Sequence, residues 1–193
     1  MKSVGEILIV RPNFVAAEGK KDSIPTIGTL LKTNSARDEY LIVSDQFIES
    51  RIPGRVPTAY GLDYDMIDEE QPQSNFLLRW MFEVNPICSK KGEALESFDR
   101  VPAIHSLLYE LTNEEMSNLI SNPVFVDFLF RIDENLLPQR NEVLMKCFKK
   151  YIQTLNKDKR DEEALRILSR VSVILRNDYS TLKKFANNLE ASI

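Results

Sequence analysis

Few side chains in this chain are placed to do chemistry, and their spacing limits what each can do. Histidine is the usual general base near neutral pH, and the sequence holds one, His105, in Pro102-Ala103-Ile104-His105-Ser106-Leu107. It stands beside Ile104, Leu107, Leu108 and Leu111, a three- and four-residue spacing that reads as one packed face. A structural or surface histidine is the simpler reading. Joining it to Cys88 would make a thiol–imidazole pair, yet their separation follows no nucleophile–base pattern. Cys88 and Cys147 lack a second Cys or His at ligand spacing and are too few for a disulfide framework. They read as reduced, packed thiols.

Carboxylates offer metal chemistry instead. Hard cations want several carboxylate oxygens, and Asp63, Asp65, Asp68, Glu69 and Glu70 lie close together. This run lacks the sixth-position glycine and twelfth-position glutamate of a calcium loop, so it reads as a solvated acidic linker. Glu18-Gly19-Lys20 supplies the Glu-x-Lys triplet of some metal-dependent nucleases, with Glu6 as the available upstream acid. Phosphate-loop and dinucleotide-loop glycine spacings are absent. No metal or cofactor is expected, and a metal-dependent hydrolase is the third functional reading.

Two clusters point to binding. Lys146, Lys149 and Lys150 share one helix face, with Lys157, Lys159 and Arg160 following in a polar stretch. Such a face neutralises phosphates, which makes a nucleic-acid-associated accessory protein the second reading. Arginine is scarce there, and the aromatics that would stack on bases point the other way. Phe125, Phe128 and Phe130, with Trp80, Phe82 and Phe98, read either as core or as a protein interface.

The elements that must hold these residues are marked by punctuation. All six glycines and nine prolines fall at or before Pro138, so the last 55 residues are free to form long helices. Leu144, Cys147, Phe148, Tyr151, Ile152 and Leu155 form one apolar stripe. A second helix is expected from Asp161 as N-cap, after the hinge 156–160, and a third from Ser180. Further helices are predicted from Ser74 to Val84 and from Pro102 to Leu111, each carrying a helical apolar spacing. Thr112 to Glu115 has the spacing of a capping box, and Asn122-Pro123 opens a helix through Phe130. Ile7–Val10, Ile27–Leu31 and Tyr40–Val43 are β-favouring runs.

The expected fold is therefore α+β: a small N-terminal β-containing region (1–60), an acidic linker (61–73) and a mainly helical domain (74–193) ending in an antiparallel helical hairpin. Net charge is -4 overall, split into -9 before Pro138 and +5 from it onward, which suits an anionic partner or mutual attraction of the two parts. The apolar run at the N-terminus is too short for a signal peptide, and no stretch approaches a membrane span. A cytoplasmic or nuclear setting follows. The first functional reading is a non-enzymatic adaptor or subunit of a larger assembly, acting through a protein partner or self-association.

Overall fold

The computed structural model describes residues 3–20, 23–33, 38–50, 78–98 and 102–193. Seven strands, β1 (Gly5–Arg11), β2 (Phe14–Gly19), β3 (Leu30–Thr33), β4 (Asp38–Ser50), β5 (Leu78–Lys91), β6 (Ala94–Ser97) and β7 (Leu107–Glu110), form one antiparallel sheet. Its order is β2-β1-β7-β3-β4-β5-β6, and β2 also pairs with β5. That extra ladder, from Ala16↔Glu83 to Gly19↔Trp80, closes six strands into a barrel. Closure covers the edge that β2 would otherwise expose and leaves β6 outside the ring. Five helices follow: α1 (Asn113–Ser121), α2 (Pro123–Arg131), α3 (Arg140–Thr154), α4 (Lys157–Ile174) and α5 (Tyr179–Glu190).

Alternation along the strands divides the apolar residues between two cores. Ile7, Val15, Ala17, Leu31, Leu41, Val43, Phe82, Val84 and Leu108 fill the barrel. Their neighbours Leu30, Tyr40, Ile42, Ile87 and Cys88 face outward and pack beneath the helices. Leu30-Leu31 and Tyr40-Leu41-Ile42-Val43 thus serve both cores, because successive strand residues point to opposite faces. Gly5 makes room at the barrel's centre. A β-carbon there would stand 2.6 Å from the Phe82 ring and 2.8 Å from the Glu18 carbonyl oxygen.

The expected fold class is overturned by this sheet, which is a large part of the molecule rather than a small N-terminal portion. Two of its strands overlap sequence that reads as helical, and a third, β6, also falls within the expected helical domain. Residues 78–91 are strand β5, not the end of a helix beginning at Ser74, and residues 51–77, including the acidic run Asp63–Glu70, lie outside the described residues. Trp80, Met81 and Val84 fit a helical spacing only because β5 is buried on both faces, which erases the polar–apolar alternation of an ordinary strand. Pro86 is accommodated where the register slips, with Tyr40 opposite Cys88 and Leu41 opposite Pro86. Pro102 opens a turn rather than a helix. Leu107–Glu110 then forms β7, which sits between β1 and β3 and sends Leu108 into the barrel.

Helices account for the tail without glycine or proline. The α1 capping box is present, with Thr112 and Glu115 each satisfying the other's backbone N–H. Asn122 caps α2, its side chain accepting from the Val124 N–H at 2.9 Å. The residues read as a polar hinge are helical from Lys157, so Asn156 is the N-cap of α4 and Asp161 lies inside the helix. Lysine and arginine are good helix formers, and the chain needs only the break at Leu155–Asn156 to reverse. The last helix is capped by Asp178 rather than Ser180. Phe130, Phe148 and Phe185 pack ring to ring at centroid distances of 5.7 to 6.3 Å, joining α2, α3 and α5. Among the described residues, no helix is long and apolar enough to cross a membrane.

Candidate functional site

The barrel and the helices leave a cleft of about 490 Å³ along their seam. It arises where β5 changes neighbours. Strand β2 pairs with β5 up to Glu83, and β6 takes over at Cys88. In between, Val84 to Pro86 keep a ladder to β4 alone among the described residues, Ile87 falls at the register slip, and these four residues line the cleft. One wall is the β1–β2 turn at Pro12-Asn13 with Phe14 beyond it. The opposite wall is the end of α2 and the following turn, carrying Phe128, Arg131 and Asp133. Ser97 and Phe98 also line it.

The α2–α3 turn is held firmly. Arg140 donates to the Ile132 carbonyl at 3.1 Å and to Glu134 at 2.6 Å, while Asp133 Oδ1 accepts from the Asn135 backbone and side chain at 2.9 Å. Arg131, exposed at the cleft, has no side-chain partner among the described residues. Across from it, Asn85 is 5% exposed and donates to Ser44 Oγ at 2.8 Å. Burial raises the neighbouring Glu83 carboxyl above its ordinary range, while hydrogen bonds from Ser44 and Asn85 pull the other way. The cleft thus offers an apolar interior, a fixed amide, a guanidinium and a carboxylate. Among the described residues, its lining sets no nucleophile beside a base.

Other residues singled out from sequence fall elsewhere. Phe125 and Phe130 are interior, at 0% and 7% exposure, and Phe128 alone of the three reaches the cleft. Phe125 packs edge-on against Tyr40 at 6.0 Å, tying α2 to the barrel wall. The basic residues do not form one free face. Lys150 donates to Thr29 Oγ1 at 2.7 Å and to the Thr26 carbonyl at 3.0 Å, and burial lowers its pKa. Arg160 closes the end of α3 by donating to the Leu155 and Gln153 carbonyls at 3.0 and 3.1 Å. Lys146, Lys157 and Lys159 are exposed and Lys149 half-buried.

Cys88 and Cys147 are both buried in the core beneath the helices, and burial pushes each thiol up to about 12. His105 lies instead on the surface, 2.6 Å through Nδ1 from Glu6 Oε1, in a left-handed turn with φ of 68°. The strand register sets Glu6 directly across from Glu18. Even so, among the described residues no three His, Cys, Asp or Glu side chains are grouped as metal ligands would be.

Sequence reading missed Asn13, Asn85, Arg131 and Asp133. The usable signals were Pro12-Asn13 as a two-residue hairpin turn and Asp133-Glu134-Asn135 as an Asx turn. No protein-family model matches the chain, and no curated protein is significantly similar to it in sequence.

Proposed function

We propose that the protein is a non-enzymatic adaptor or subunit that holds a partner protein through the cleft between its barrel and its helices. The occupant is a short extended segment with an apolar side chain next to an acidic one. The observation that carries this reading is the exposed Arg131 guanidinium, without a partner among the described residues, beside the apolar side chains Phe14, Ile87, Phe128 and Leu136 of the cleft. An apolar anchor fits against Phe128, and a carboxylate meets the guanidinium in a charge-assisted contact. The volume lies within the roughly 300–1,000 Å³ usual for ligand sites. The stretch Val84–Pro86, laddered to β4 alone among the described residues, supports an extended backbone as the guest. Two buried, unpaired cysteines support a reducing setting, cytoplasmic or nuclear.

The test is selection of a phage-displayed random peptide library on the whole protein, counter-screened on Arg131→Glu. The reading expects enriched peptides that place an aromatic or branched residue beside Asp or Glu and bind Arg131→Glu at least about tenfold more weakly. No enrichment, or peptides indifferent to Arg131→Glu, overturns it.

A further inference from the structure

Helix α4 buries Ala164, Ile167 and Val171 against the bundle and turns its opposite face outward. On that outer face Leu165 and Val173 are 68% and 64% exposed, two turns apart, with the small exposed Ser169 midway between them. Glu162 extends the stripe at its N-terminal end, and Arg176 stands just past the C-cap Leu175, in the turn that continues from α4. Both are exposed, and neither has a partner among the described residues. The flanking arginines are already engaged inside the chain. Arg170 pairs with Asp127 at 2.6 Å, and Arg166 bonds Glu163 and the Ser121 carbonyl at 2.8 and 3.2 Å. These contacts fix the rotation of α4 and leave the stripe as it stands.

The stripe is its own complement. Laid antiparallel on a second α4 with the two Ser169 residues at the crossing, Leu165 of each copy meets Val173 of the other. Glu162 then meets Arg176 at both ends. A two-fold contact requires this kind of self-matching surface, and a small residue at the axis lets the two helices approach closely. We infer that this protein forms a two-fold dimer through the outer face of α4, with a second copy of the same chain as the partner. One helix from each copy makes a small interface, so the dimer is weak and depends on concentration. The cleft lies on other elements and takes no part.

Sedimentation equilibrium of the full chain over about 5 to 500 µM tests this. A reversible monomer–dimer equilibrium is expected. Glu162→Arg and Arg176→Glu, each setting like charges face to face, should weaken it at least about tenfold. The double variant, with the pair reversed, should recover to within about threefold of the parent, which also shows that the fold is intact. Cysteine cross-linking fixes the orientation. With oxidised glutathione as electron acceptor, two Ser169→Cys thiols across the axis lose their protons and two electrons and join as an intermolecular disulfide. Glu162→Cys should not cross-link to itself, because antiparallel helices hold those two positions about 21 Å apart along the axis. The buried Cys88 and Cys147 leave the background low. A parent that stays monomeric throughout, a dimer indifferent to both charge reversals, or equal cross-linking at 162 and 169 overturns the inference.

Discussion

The Lys150 ammonium lies 2.7 Å from the Thr29 hydroxyl, a contact between residues 121 positions apart that pins α3 to the turn entering β3. The same ammonium reaches the Thr26 side chain and carbonyl, so three oxygens of one turn converge on it. Lys150→Met keeps the aliphatic stem and removes all three donations. The expected loss is about 1–3 kcal/mol in urea unfolding. Thr29→Val combined with it should cost less than the two separate losses added together. Full additivity would mean that the contact carries no stability.

Gly28 secures the same seam by its lack of a side chain. Its φ is 83°, and a β-carbon would stand 2.8 Å from the Cys147 backbone nitrogen and 2.9 Å from Lys146 Cβ. Gly28→Ala therefore meets both backbone strain and a collision with α3, for an expected cost of about 2–4 kcal/mol. Gly92 has a φ of 63° with nothing within 4 Å, so Gly92→Ala should cost only about 1 kcal/mol. Equal losses in thermal or urea unfolding would contradict the close approach at Gly28.

Two phenylalanines three residues apart should behave differently. Phe125→Ala empties a fully buried site and should cost about 3–5 kcal/mol. Phe128→Ala, at the edge of the cleft, should cost about 1 kcal/mol while weakening the selected peptides at least about tenfold. Retained peptide binding by a folded Phe128→Ala protein would argue against the cleft as the docking site.

Alkaline pH should loosen the core. Cys88, Cys147 and Tyr40 all have folded pKa values raised to about 12, chiefly by burial. Each holds its proton more tightly when folded, so the stability tied to it is complete below about pH 9 and is lost as pH climbs toward about 12. Urea midpoints should fall between about pH 8.5 and 11, and the fall should be shallower in Cys147→Ala. The same burial predicts that neither thiol reacts with Ellman's reagent at pH 8 until the chain unfolds. Rapid labelling of the folded protein would contradict the enclosed positions.

The helical part of this architecture was largely legible because its signals are local. Thr112–Glu115 and Asn122-Pro123 mark helix starts by themselves, and a tail without glycine or proline permits little else. The barrel was not. Its closure depends on β2 meeting β5, a pairing of Ala17 with Phe82 that no local pattern announces. Strands buried on both faces, such as Leu78–Lys91, also lose the period-two alternation that identifies a strand. The four-residue β7 is too short to show any period, and Ile104, Leu107, Leu108 and Leu111 imitate a helix by chance. The cleft was less visible still. Asn13, Asn85 and Arg131 come from three separate elements and meet only after the sheet has closed. Lys150 and Arg160 look like a free basic face because sequence cannot show the Thr26 and Leu155 carbonyls that occupy them.

The cleft is the central claim, and amide chemical-shift mapping with the most enriched peptide tests it most directly. Titrating that peptide into the isotope-labelled protein should move signals at Asn13–Val15, Val84–Ile87 and Phe128–Leu136, excepting Pro86, and leave the outer face of α4 unchanged. Shifts confined to α4, or spread evenly with none at these three segments, would contradict the account.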